Sequence, residues 1–135
     1  MTATTNVTMR RVGYGLSTLA VLFLLMDSVM KLLALPVVLT SSAQLGYPAT
    51  ADFARLLGGM LLVGTVLYVI PRTSLLGAVL LTAYLGGAVA THIRVGNPLF
   101  SHILSGVYLG LIIWGGLLLR DDHLRTLFPF RRAAD

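Results

Sequence analysis

LTAYLGGAVATHIRVGNPLFSHILSGVYLGLIIWGGLLLR, residues 81–120, decides the fold. Two long apolar runs flank a short polar turn at Val95–Leu99, and Gly96-Asn97-Pro98 is turn chemistry. Crossing a hydrocarbon core of about 30 Å takes roughly 20 residues of α-helix. The stretch therefore reads as two membrane helices joined head to tail. His92 precedes the turn, His102 follows it, and Arg94 lies between them. Ionisable side chains are costly in a bilayer, so they normally face a bundle interior or a water-filled cavity and mark a site.

The rest of the chain agrees with that reading. Of 135 residues, 56% are hydrophobic and only 11% charged, with a mean hydropathy of +0.87. A soluble domain carries roughly a quarter charged residues, so the composition is that of an integral membrane protein. There is no cysteine. That excludes disulfides, thiolate metal ligands, iron–sulfur ligation and Cys-x-x-Cys redox chemistry; a redox role would need a bound cofactor or a quinone. The net charge of +5 comes from basic residues at the ends of apolar segments. This is the pattern of membrane orientation, not of a nucleic-acid surface. The apolar run after Arg10-Arg11 is longer than the roughly 7–15 residues of a signal-peptide core, so it reads as a retained span.

In chain order, residues 1–10 read as a flexible tail. Residues 11–120 read as a transmembrane domain with helices at about 12–35, 51–70, 73–94 and 99–119. Residues 121–135 read as a basic, aromatic tail. Pro36 ends or kinks the first helix, residues 40–51 form an uncharged loop, and Pro71-Arg72 makes a tight turn between antiparallel neighbours. The expected fold is all-α, a four-helix transmembrane bundle. Arg10, Arg11, Arg72, Arg120, Arg125, Arg131 and Arg132 then share one side, with only Arg55 and Arg94 near the other. The positive-inside rule puts both termini in the cytoplasm, where Arg125, Phe128, Phe130, Arg131 and Arg132 would anchor the tail at the interface. Gly58, Gly59 and Gly64, and the pairs Gly86/Ala90 and Gly87/Thr91, permit close helix packing. They fit a homo-oligomer and intramolecular contact equally.

All four helices send polar residues to the extracytoplasmic side: Asp27 and Lys31, Asp52 and Arg55, His92 and Arg94, and then Asn97 and His102. Tyr84 and Tyr108 lie roughly 9–12 Å deeper and are expected to floor the cavity. Each residue also has a plainer reading. Asp27 and Lys31, four apart on one face, can neutralise each other; His92 can serve as an interhelical hydrogen-bonder; Arg55 and Arg94 can snorkel to lipid phosphates; Asn97 can serve the turn. Tyr68 and Trp114 read as aromatic-belt anchors.

The chemistry open to this corner is proton handling. Histidine titrates near neutrality, Asp27 could orient it, and an arginine could hold an anionic or carbonyl oxygen. A quinone or an enolisable carbonyl compound suits that set. Gly-x-Ser-x-Gly, His-Glu-x-x-His and phosphate-binding loops are absent, and there is no glutamate. Two histidines on neighbouring helices could ligate a haem or metal, but two alone complete no ligand set, so neither is expected.

The stretch YLGGAVATHIRVGNPLFSHILSGVYLGLIIWGGLLLRD resembles the C-terminal half of DoxX-like membrane proteins, and Asp27-x-x-x-Lys31 and Gly46-Tyr47-Pro48 fit as well. The resemblance implies a four-helix protein of the bacterial inner membrane, related to proteins linked to thiosulfate:quinone oxidoreductase and to membrane oxidoreductase complexes. The matching positions are Lys31, Tyr84, Gly87, His92, Arg94, Pro98, His102 and Tyr108. Three functions stand as expectations. The first is a pocket for a lipophilic small molecule, such as a quinone, serving an oxidoreductase system; His92, His102 and Asp27 would do the chemistry, and Lys31, Arg55, Arg94, Tyr84, Tyr108 and Asn97 would bind. The second is a cofactor-free acid–base enzyme for isomerisation or cyclisation. The third is a non-catalytic accessory subunit with a protein partner.

Overall fold

The computed structural model describes residues 7–130. Its helices are α1 (Val7–Leu32), α2 (Pro36–Gln44), α3 (Ala51–Val69), α4 (Ser74–Arg94), α5 (Leu104–Arg120) and α6 (Asp122–Leu127), with a π-helical turn at Leu99–Ile103 leading into α5. No strand occurs among the described residues. Four segments are long and apolar enough to cross a membrane: Val7–Leu32, Ala51–Val69, Ser74–Arg94 and Leu99–Arg120.

Helix α1 starts earlier than expected, at Val7, because no proline or glycine interrupts residues 7–12. Residues 1–6 of the anticipated tail, like Arg131 and Arg132, lie outside the described residues. The helix stops at Leu32, short of residue 35. Ala34 turns into the left-handed region at φ 49°, and Leu35 is extended, as the residue before a proline prefers to be. Pro36 then opens α2 at its first position, where its missing N–H costs nothing. The polar run that read as loop from residue 40 is thus helical as far as Gln44. Its hydroxyls turn inward on the helix: Thr40 donates to Pro36 O at 2.9 Å and Ser41 to Val37 O at 2.8 Å.

The spans alternate in direction, and four close contacts show it. The start of α3 meets the end of α1 where Gly58 faces Lys31 and Ser28; the start of α4 meets the end of α3 where Gly77 faces Tyr68; Gly106 of α5 faces Val89 near the end of α4; and Gly116, late in α5, meets Gly13 and Ser17 at the start of α1. Helix α1 packs along α3 and α5, α4 packs along the same two, and α1 and α4 sit on the diagonal. The α3–α4 turn is tight, as its Pro71-Arg72 predicts. Thr73 and Ser74 hydroxyls cap the outgoing carbonyls of α3, donating to Leu67 O and Tyr68 O, both at 2.8 Å.

Tyr68 is at the centre of the core, 0% exposed, among Ala20, Leu24, Leu61, Ala78, Leu81, Ile113 and Leu117. Its hydroxyl donates to Ile113 O at 2.7 Å and sits 2.9 Å from Ser17 Oγ, which donates in turn. The belt-anchor reading of Tyr68 is therefore overturned: the ring belongs to the interior because Ser17 and Ile113 satisfy its hydroxyl there. Trp114 is half-buried, donates to Thr82 Oγ1 at 2.7 Å, and stacks on Phe128 at 4.9 Å. The C-terminal segment thus folds back on the bundle. Leu124 is buried and Arg125 donates to Leu118 O at 2.7 Å.

Candidate functional site

Helix α4 ends in a Schellman motif that positions the first histidine. Gly96, at φ 72°, lets Gly96 N–H reach Ile93 O at 3.1 Å and Asn97 N–H reach His92 O at 3.1 Å. This fold-back carries the Asn97 side chain to His92, where Nδ2 donates to Nδ1 at 2.7 Å. An amide nitrogen can only donate, so the neutral His92 ring carries its proton on Nε2.

The π-helical turn positions the second histidine. Its widened ring has His102 N–H and Ile103 N–H both on Pro98 O, at 3.1 and 3.3 Å. The His102 ring then stands edge-on to His92, centroids 5.7 Å apart. Ser101 Oγ holds His102 Nδ1 at 2.7 Å. Both rings are therefore fixed through Nδ1. Neither Nε2 makes a hydrogen bond among the described residues. No residue from Leu99 to Ile112 is buried, so this corner is open at its flank.

A second polar group lies beside it. Asp27 and Lys31 form an ion pair within α1. Across the diagonal, Tyr84 of α4 has Asp27 and Tyr47 as its electrostatic neighbours. Tyr47, in the loop after α2, packs on Phe53 at 5.1 Å and reaches Thr91 Oγ1 at 2.6 Å. Because the Thr91 hydroxyl donates to Gly87 O at 2.8 Å, the Tyr47 hydroxyl is the donor to Thr91. Thr91 and His92 are consecutive, so α4 carries both groups on adjacent faces.

The two arginines brace backbone. Arg94 Nη2 donates to Leu45 O at 2.6 Å and lies against Gly46, clamping the loop that carries Tyr47. Arg55 Nε donates to Leu32 O at 3.3 Å, tying α3 to the end of α1, and its contact with the exposed Asp52 is 4.0 Å long. Tyr108 is 47% exposed and joins neither group by a hydrogen bond among the described residues. Of the candidates read from the sequence, His92, His102 and Asn97 come together; Asp27, Lys31 and Tyr84 form the neighbouring group; Arg55 and Arg94 support the loops. Sequence reasoning missed Tyr47, Thr91 and Ser101. The signals available for Tyr47 were its place as an aromatic residue in a charge-free loop and the fit of Gly46-Tyr47-Pro48 to the family resemblance. Among the described residues no three of His, Asp or Glu gather as a metal site.

Four apolar spans with ionisable groups gathered where the helices turn define an integral membrane protein with a polar corner. The chain belongs to the DoxX-like family, whose model matches residues 15–116, an interval that contains every residue of both polar groups. No curated protein and no solved structure matches the chain significantly.

Proposed function

We propose that the His92–His102 corner binds a lipophilic carbonyl compound of the quinone class, as part of an oxidoreductase system in a bacterial inner membrane. The observation that carries this reading is the histidine pair itself: two rings fixed through Nδ1, each with an Nε2 that has no partner among the described residues, at an unburied flank of an apolar bundle. His92 Nε2–H is a donor suited to a carbonyl oxygen. His102 rests on a hydroxyl that can donate or accept, so its Nε2 can take either role. A quinone would supply the electron chemistry; the chain's part is to orient the ring and move protons at its oxygens. The Asp27–Lys31 pair and the Tyr84, Tyr47 and Thr91 hydroxyls form the polar wall next to it.

The test is titration of the purified protein in lipid nanodiscs with a short-chain ubiquinone. His92→Ala and His102→Ala should each weaken binding about tenfold, or about 1.4 kcal/mol, while Tyr108→Phe leaves it unchanged. Absence of saturable binding by the wild type, or wild-type affinity in both alanine variants, would overturn the reading.

A fixed donor beside a reversible partner is also an acid–base pair, which supports a second reading: cofactor-free proton transfer on an enolisable lipophilic carbonyl substrate. His92-dependent deuterium exchange into such a compound, without any redox change, would favour it over quinone binding.

Under the positive-inside rule, the end bearing Arg10, Arg11, Arg72, Arg120 and Arg125 faces the cytoplasm and the histidine corner faces outward. The chain has no cysteine, so single replacements report cleanly. In intact spheroplasts a membrane-impermeant maleimide should label Thr40→Cys but reach Thr126→Cys only after lysis. The opposite pattern would invert the topology.

A further inference from the structure

At the end of the bundle away from the histidines, a groove of about 300 Å³ opens between the start of α1, the α3–α4 turn and the end of α5. Arg10, Tyr14, Ser74, Arg120, Asp121 and Asp122 line it. We propose that this groove binds a phosphoester, with Arg120 as the main contact to its phosphate oxygens and Arg10 as the second.

Arg120 is held in place without being neutralised. Its guanidinium carbon lies 5.5 Å from the centre of the Tyr14 ring and 5.3 Å from that of Tyr68. Aromatic rings attract a cation through their quadrupoles but carry no compensating charge. The Tyr68 ring is itself locked by the hydrogen bonds to Ile113 O and Ser17. Arg120 Nε is enclosed by protein and has no hydrogen-bond partner. Among the described residues the ion pairs are Lys31–Asp27, Arg55–Asp52 and Arg125–Asp122, so neither Arg120 nor Arg10 has a carboxylate of its own.

The polar neighbours are occupied. The Asp121 carboxylate accepts Leu124 N–H at 3.0 Å, Asp122 pairs with Arg125, and the Ser74 hydroxyl donates to Tyr68 O. An enclosed guanidinium N–H without an acceptor is costly. The planar fork of arginine matches two oxygens of one phosphate, which would supply acceptors that the guanidinium lacks. A groove with two arginines at the ends of membrane helices is also where anionic lipid headgroups are met. Its Arg10, Tyr14, Arg120, Asp121 and Asp122 fall outside the residues matched by the family model, while Pro71 and Ser74 fall within them.

The experiment places the full chain in phosphatidylcholine nanodiscs and adds phosphatidylglycerol to one series, glycerol 3-phosphate to a second and inorganic phosphate to a third. Retained lipid is counted by native mass spectrometry, and thermal stability is followed in each. The wild type should retain phosphatidylglycerol and melt at higher temperature with it. Arg120→Gln should lose that retention about tenfold, and Arg120→Lys, which keeps the charge but not the fork, should recover part of it. Arg10→Gln lies at an exposed helix start and should fold normally with a smaller loss, so it carries the test if Arg120→Gln fails to fold. An Arg120-dependent shift with glycerol 3-phosphate but not with phosphatidylglycerol assigns the site to a soluble phosphoester. Wild-type responses in Arg10→Gln and in the folded Arg120 variants overturn the proposal, as does a wild-type protein that responds to none of the phosphate probes.

Discussion

Gly77→Val should leave little folded protein. A Cβ at this position would stand 2.2 Å from Tyr68 N, 2.5 Å from Tyr68 Cα and 2.7 Å from Leu67 C. These are backbone atoms, so no rotamer change relieves the contact. Helices α3 and α4 would have to separate by more than an ångström. That movement would break the Thr73 and Ser74 hydroxyl bonds that close the turn between them. Overpacked cores cost about 1–3 kcal/mol when side chains can adjust; with backbone on the other side, the expected cost exceeds that range. Gly77→Ala already brings the offending Cβ and should lower the melting temperature in detergent sharply. Gly15 is the control, because a Cβ there meets nothing within 4 Å. Gly15→Ala should be neutral or stabilising, by up to about 1 kcal/mol of helix propensity. Equal melting temperatures for Gly77→Ala and Gly15→Ala would refute this account of the α3–α4 contact.

Tyr68→Ala should be the most damaging side-chain truncation in the chain. Inside a bilayer, helices gain little from hydrophobic transfer, so packing and hydrogen bonds hold them together. The Tyr68 side chain supplies both, with hydrogen bonds to α1 and α5. Removing the ring leaves a void of roughly 100 Å³, worth about 2.4 kcal/mol at about 24 cal/mol per Å³. Losing the hydroxyl's bonds adds about 1 kcal/mol on the scale measured between membrane helices. Tyr68→Phe should therefore cost only about 1 kcal/mol, and Ser17→Ala should cost less in the Phe background than in the wild type. Equilibrium unfolding in mixed micelles checks both values. A Tyr68→Ala protein as stable as Tyr68→Phe would show that the void is refilled and the estimate wrong.

The spans were legible because a bilayer forces one element type and one length on an apolar run, and polar turns at Pro71-Arg72 and Gly96-Asn97-Pro98 mark where the chain reverses. Which way each face points was not legible. Helix α3 is apolar nearly all round, so nothing in its periodicity distinguishes Tyr68 in the core from a tyrosine at the interface. The facing of Tyr108 was hidden for the same reason. Depth alone assigned it to the cavity floor, whereas its face of α5 is half exposed. The short helix α2 was hidden because Thr40, Ser41 and Ser42 are loop formers by composition, and only Pro36 at its start argued otherwise. At the candidate site, the meeting of His92 and His102 follows from the tight turn between them. The Tyr47–Thr91 bond joins residues 44 apart in the chain. It depends on Arg94 reaching back to Leu45 O, which no local pattern encodes.

The Tyr68 hydroxyl also sets a timetable. It bonds Ser17 in the first span and Ile113 in the last. While the chain is being synthesised, the first three spans can enter the membrane and pair, and this hydroxyl can meet Ser17, yet its bond to Ile113 O waits until residue 113 has arrived. The ring of helices closes at that moment, when Gly116 comes to rest on Ser17 and Gly13. A chain stopped after the third span therefore lacks both that bond and the Gly116 contact that closes the ring. The Tyr68–Ile113 bond and the Gly116 contact thus both wait on the final tenth of the transmembrane sequence.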